Sequence, residues 1–254
     1  LIKETIQSSA GFDMVVFPEL SLTGYPPQDL LLDQKFISNT QKILDDIVKE
    51  VNEQIVVIGF PRSINNELFN SAAVIQNNKI LGFHDKILLP TYDVFDEKRY
   101  FKPSKSINPI TVNNNEKEVS IGIQICEDLW DDDYSQKVTD TLIDKGADII
   151  INISASPYRV NILNKRIELC RDRLNDLKYY FIYCNLVGGQ DELVFDGQSF
   201  VMNNQGEVLA LGKKFKDDII DFDTEALENK SISLLDINES EEMFGALSLG
   251  VRDY

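Results

Sequence analysis

The sequence holds a single histidine, His84, and that scarcity narrows its chemistry at once. Zinc sites built on two or three histidines are excluded. A Ser-His-Asp or Cys-His hydrolase could use only His84. Cysteine is also sparse: Cys126, Cys170 and Cys184, an odd count whose spacing fits no metal motif. No signal segment is visible, so the thiols read as reduced and the chain as cytoplasmic. Positive charge is short, with 25 Lys and Arg against 42 Asp and Glu, a net charge of −17. Nucleic acid and anionic membranes need basic patches, so neither is an expected partner. No apolar run reaches the roughly 20 residues of a membrane span. There is no glycine-rich nucleotide loop, since "LVGGQD" (186–191) is too short and wrongly patterned. ATP binding by this chain alone is therefore not expected.

What is present is an α/β pattern. Short runs rich in Val, Ile, Phe and Tyr read as strands: 14–19, 55–60, 71–76, 79–86, 119–126, 147–154, 179–187, 199–203, 207–212 and 219–223. Asn77-Asn78 and "NNQGE" (203–207) supply hairpin turns, because Asn and Gly tolerate positive φ. Apolar residues at steps of three and four predict helices over 34–53, 132–146 and 159–178. Several strands are apolar at nearly every position and so need cover on both faces. Two sheets back to back with helices outside would give that cover. No linker divides the 254 residues, which are read as one domain, 1–254. The chain opens on Leu1 within a helical pattern, so an upstream piece is expected.

Three ionisable residues of three types end apolar strands: Glu19 after Pro18, Lys86 after "ILGFHD", and Cys126 before Glu127 and Asp128. Strand ends of α/β proteins open onto ligand crevices. Each residue also has an ordinary reading, the charges as solvated strand ends and the cysteine as a packed thiol. At a strand-to-helix turn, backbone N–H groups lower a thiol pKa, and two following acids raise it. A lysine nearby would restore the balance, and a glutamate could take the thiol proton without histidine. His84 shares a strand face with Lys86 by period two, which places it near the site as a neighbour or as an alternative base. Cys170 and Cys184 read as core. "DDIVKE" (45–50) and "EALENK" (225–230) read as solvated helix faces.

"VVFPELSLTGYPPQDLL", "HDKILLPTYDVFDEKRYF" and "IGIQICEDLW" resemble, in order, the three signature segments of the nitrilase (carbon–nitrogen hydrolase) superfamily. "NISASPY" and "NLVGGQDELVFDGQSFVMNNQGEVL" are similar to the glutaminase domains of glutamine-dependent NAD+ synthetases in particular. "FGALSLGVRDY" resembles the lead into their ATP-using half. The resemblance implies a four-layer α-β-β-α sandwich, lacking its first strand in this chain. It implies catalytic roles for Glu19, Lys86 and Cys126, with Glu97 positioning the lysine and substrate. It implies substrate contacts at Tyr92, Phe95, Glu127 and Trp130, with Tyr25 near the mouth and Ser154 and Ser156 as further contacts.

The implied reaction is hydrolysis of the glutamine side-chain amide through a cysteine thioester, feeding ammonia to NAD+ synthesis from deaminoNAD+ in a longer enzyme. No cofactor is expected for this domain. ATP and magnesium belong to the synthetase domain, which would be covalently linked. A homo-oligomer is expected. The alternatives are a free-standing amidase or carbamoylase with the same triad, a non-catalytic interaction module, and a Cys-His hydrolase using His84.

Overall fold

The computed structural model describes residues 1–114, 117–225, 231–232 and 238–254. Two sheets form its centre. The first runs β1 (Met14–Val16), β2 (Ile55–Ile64), β3 (Glu67–Gln76) and β4 (Lys79–Asp85), in that spatial order. The second has six strands, in the order β12 (Val208–Leu211), β11 (Phe200–Asn203), β8 (Tyr180–Asn185), β7 (Ile149–Ser154), β6 (Lys117–Ile125) and β5 (Ile110–Asn114). A separate hairpin pairs β9 (Val187–Gln190) with β10 (Leu193–Asp196). The helices are α1 (Ile2–Ser8), α2 (Gln34–Val48), α3 (Val138–Asp144), α4 (Ile162–Asp172) and α5 (Glu239–Asp253).

Strand periodicity builds the layers. On β2, Ile55 and Val57 face Ile123, Ile125, Ile151 and Ile153 of the second sheet, forming the core between sheets. The alternate residues Val56, Ile58 and Phe60 meet Ile6 of α1 and Leu44 and Ile47 of α2. On the second sheet, Ile150 and Phe181 point outward onto Val138 and Leu142 of α3 and Leu163 and Ile167 of α4. The result is helix, sheet, sheet, helix, as the doubly apolar strands require. Each fully buried Leu or Ile contributes about 1.5–3 kcal/mol, so α2 is held mainly by its Leu44–Ile47 face.

Several elements differ from the sequence-based expectation. The first strand stops at Val16, because Pro18 lacks an N–H to continue the ladder. The helix expected over 132–146 starts only at Val138 (α3), where Asp131 accepts the first free N–H (3.0 Å). The helix expected over 159–178 starts at Ile162 (α4), after Asn161 turns through φ +63°. Among the described residues, 219–223 form no strand; Ile219 is exposed and Phe222 packs edge-on against Tyr180 at 5.4 Å. Strands β5, β9 and β10 and helix α5 were not read from the sequence. Helix α5 lies on the hairpin, with Asp253 accepting from Gly189 N (2.8 Å). Asn77 and Asn78 do take positive φ, 53° and 56°, between β3 and β4. In "DDIVKE", Asp46 and Lys49 form a solvated ion pair at 2.8 Å. "EALENK" lies outside the described residues beyond its first position. Among the described residues no helix is long and apolar enough to cross a membrane.

Candidate active site

Glu19, Lys86, Glu97 and Cys126 come from four separate segments and are all buried. The solvated-charge reading of the strand ends fails here, since Glu19 is 0% and Lys86 1% exposed. Lys86 Nζ donates to Glu19 Oε1 (2.7 Å) and to Glu97 Oε1 (2.8 Å). Glu19 is held from two further sides, by Asn70 Nδ2 (2.7 Å) and by the backbone N–H of Ala155 (2.8 Å). Glu97 also accepts from the Tyr25 hydroxyl (3.0 Å), while its Oε2 has no hydrogen-bond partner among the described residues. Burying charges costs several kcal/mol each unless they are paired and hydrogen-bonded, so this closed set is mutually dependent.

Its protonation follows from burial. Desolvation is the largest influence on Lys86 and works against its charge, yet Glu19 and then Glu97 overcome it and hold the ammonium well above its usual value. Two carboxylates share that one cation. Burial, then the neighbouring Glu19 charge set against Lys86, moves Glu97 up to about 7. A protonated Glu97 leaves the cluster neutral and agrees with its unpaired oxygen.

Cys126 follows the last residue of β6 and has φ +45°, a left-handed conformation unusual for a residue with a side chain. Strain of this kind gathers at functional sites and persists where the surroundings hold it. Burial first, then Glu19, pushes the thiol well above its usual pKa, and Lys86 pulls it partly back. Glu127 is a smaller influence than either. Glu127 does raise the thiol, as expected of an acid after the cysteine, but burial and Glu19 raise it more. Among the described residues none forms a hydrogen bond with the sulfur. The site thus brings a buried thiol, whose ionisation burial opposes, into the field of the Glu19 carboxylate and the Lys86 ammonium.

The remaining predicted residues fall into two groups. Tyr92 donates to both oxygens of Glu127 (3.0 and 2.9 Å), and Tyr134 donates to one (2.9 Å). Phe95 stands edge-on to Tyr92, with centroids 5.8 Å apart. Trp130 is half-buried on the helix-side core, with the Lys165 ammonium 5.5 Å from its ring centre. Tyr25, expected near the mouth, lines the cleft described below and is buried with its hydroxyl on Glu97. The two serines turn inward: Ser154 donates to Asn152 Oδ1 (2.5 Å), and Ser156 Oγ accepts from Arg166 Nε (3.2 Å). Between them, the backbone of Ala155 reaches Glu19. Arg166 is buried with Asp196, paired through both oxygens at 2.9 and 3.0 Å. A cleft of about 160 Å³ reaches Glu97 past Tyr25, Phe95, Phe101 and Leu193, with Gln190 of the β9–β10 turn as one wall.

Sequence reasoning missed Asn70, Tyr134 and Arg166. A buried-strand pattern interrupted by Asn70 was the one legible signal. Cys170 is buried, and Cys184 is half-buried with its sulfur donating to Val16 O at 3.5 Å. His84 bonds Asp128 through Nε2 (2.9 Å) and makes no bond to Cys126, which disfavours the Cys-His alternative.

A model of the family described as Carbon-nitrogen hydrolase matches residues 1–226. The chain belongs to that family. This carbon–nitrogen hydrolase is 36% identical over 286 residues to the glutamine-dependent NAD(+) synthetase of Thermotoga maritima, covering 98% of this chain and 48% of that one. It is 38% identical over 254 residues to the enzyme of the same name from Aquifex aeolicus, covering 99% of this chain and 43% of the relative. The structure of glutamine-dependent NAD+ synthetase from Acinetobacter baumannii, in complex with ADP, superposes with a TM-score of 0.87 at 32% identity, over 100% of this chain and 48% of that one. A carbon-nitrogen hydrolase from Helicobacter pylori shares the fold, with a TM-score of 0.71 at 21% identity, covering 86% of this chain and 80% of that one. The chain thus spans about half the length of the curated relatives it matches.

Proposed function

We propose that this carbon–nitrogen hydrolase cleaves the side-chain amide of glutamine through a thioester on Cys126. The observation that carries this reading is the buried Lys86 ammonium, held by Glu19 and Glu97 beside the strained cysteine turn. Glu19 takes the thiol proton as sulfur attacks the carboxamide carbon. Negative charge gathers on the former carbonyl oxygen, where Lys86 and the backbone N–H of Glu127 receive it. One such donor is worth about 10²–10³ in rate. The C–N bond then breaks, and Glu19 returns the proton to the departing nitrogen, which leaves as ammonia. Water deprotonated by Glu19 attacks the thioester carbon, releasing glutamate and restoring the thiol.

Substrate choice rests on the second group. The Glu127 carboxylate, fixed by Tyr92 and Tyr134, offers an anion to the α-amino group of an amino acid. Phe95 and Trp130 flank the carbon chain, and Ser154, Ser156 and Tyr25 shape the pocket behind it. A plain aliphatic amide brings no ammonium to meet the Glu127 charge, which favours glutamine over the free-standing amidase reading.

The named relatives support a longer enzyme in which a covalently linked synthetase half uses this ammonia to make NAD+ from deaminoNAD+. ATP and magnesium serve that half, the glutaminase half needs no cofactor, and the assembly is a cytoplasmic homo-oligomer. The test is ammonia release from glutamine, asparagine and an aliphatic amide. Glutamine is the preferred substrate, and Cys126→Ala reduces release to background. An aliphatic amide turned over faster than glutamine, or undiminished release by Cys126→Ala, overturns the proposal.

A further inference from the structure

Asp128 is two residues beyond the cysteine, is 0% exposed, and takes no part in the chemistry above. All of its acceptor capacity is nevertheless used. Oδ1 accepts from the backbone N–H groups of Ile87 (3.0 Å) and Leu88 (2.9 Å). Oδ2 accepts from the backbone N–H of Ile125 (3.0 Å) and faces His84 Nε2 (2.9 Å). These four partners are not scattered. His84, Ile87 and Leu88 bracket Lys86 at the end of β4, in the first sheet. Ile125 immediately precedes Cys126 at the end of β6, in the second sheet.

One buried carboxylate therefore clasps the lysine segment on both flanks and the cysteine turn on one. The Ile125 contact closes the turn in which Cys126 sits at φ +45°. Left-handed strain at a residue with a Cβ needs an external hold, and a carboxylate accepting several N–H groups is among the strongest neutral-to-charged arrangements available. Other polar contacts cross between the sheets, Ala155 N–H to Glu19, Cys184 Sγ to Val16 O and Gln76 with Asn113, but none of them holds the backbone beside Lys86 or Cys126, and the aliphatic side chains between the sheets are non-directional.

We propose that Asp128 is the positioning residue of this site: it fixes the Lys86 segment against the Cys126 turn across the two sheets, with His84 as its fourth support. The proposal rests on the reading of Lys86 and Cys126 given above, and it accounts for the chain's only histidine without giving it a proton-transfer role.

Asp128→Asn offers one acceptor atom where the carboxylate offers two, so at least one backbone N–H loses its partner. His84→Ala removes one support and leaves three. Two readings are taken on each variant at a temperature well below its melt: kcat and KM for glutamine, and the rate at which iodoacetamide alkylates Cys126, resolved from Cys170 and Cys184 by peptide mass. A displacement near 1 Å costs about 10² in rate, so Asp128→Asn lowers kcat by roughly that factor with KM moved less than about threefold. Cys126 alkylation slows in parallel. His84→Ala lowers both rates by about fivefold, because networks with most members intact lose only part of their effect.

A lowered melting temperature with wild-type kcat and wild-type alkylation would make the contact merely structural and overturn the proposal. If Asp128→Asn fails to fold, His84→Ala decides by the same two readings. If the unmodified chain releases no ammonia from glutamine, the substrate reading fails by itself. Alkylation then judges Asp128 alone, and an unchanged rate in the variants overturns its role.

Discussion

At the residue scale, Glu19, Lys86 and Glu97 place two carboxylates on one buried ammonium, and the proton count of that set governs its behaviour with pH. Glu97 is raised from 4.5 to about 7 chiefly by burial. The folded chain therefore binds a proton in that interval that the unfolded chain has lost. The stability this proton carries is complete below 4.5 and disappears as pH rises through about 7. Glu97→Gln removes the titration while keeping the shape. Between about pH 5 and about pH 8, the melting temperature of the unmodified chain should fall, and that of Glu97→Gln should fall less. Cys126 is shifted upward from an already alkaline value and Lys86 likewise, so neither contributes in this window. Equal slopes in the two proteins would show that Glu97 ionises normally. Glu19 and Lys86 were legible as strand-end singletons, and the family resemblance joined them and added Glu97. Their burial was not legible, because a strand-end lysine looks the same in sequence whether it meets water or two carboxylates.

At the element scale, the site depends on how closely backbones approach. The loop carrying Glu19 crosses β2 at Gly59, where an added Cβ would stand 2.5 Å from Leu20 N and 2.6 Å from Pro18 O. No flexible side chain is available to yield there, so Gly59→Ala must push the Glu19 loop away from Lys86 and Asn70. Glutamine turnover should fall by about 10², as expected for a base displaced by near 1 Å. Cys126 alkylation should slow with it. Undiminished turnover would mean that the loop adjusts without moving Glu19. The same scale explains what the sequence pattern revealed and what it hid. Runs such as 55–60 and 147–154 declared buried strands because both faces are apolar. The 219–223 run is also rich in Ile and Phe yet forms no strand among the described residues, since strand formation needs a free edge beside it and composition does not report one. Helix α5 was hidden because its buried face is only Glu242, Ala246 and Leu249, too weak a stripe to announce a helix.

At the scale of the whole molecule, the four layers bring segments from both sheets to one end of the sandwich. Lys86 and Asn70 arrive from the first sheet, and Cys126 and Ala155 from the second. The fold class was legible because doubly apolar strands leave few alternatives to two covered sheets. The long-range contacts were not, because residues 51 to 136 positions apart in the chain carry no local signal of their pairing. The central claim is that these segments converge to make Cys126 a nucleophile toward an amide. It is tested most directly by mixing the chain with glutamine, quenching in acid across the first turnover, and weighing the Cys126 peptide. The predicted result is a γ-glutamyl thioester on Cys126 that forms with the first ammonia released and then decays to free thiol. Ammonia released over the first turnover while Cys126 remains a free thiol throughout would contradict the account.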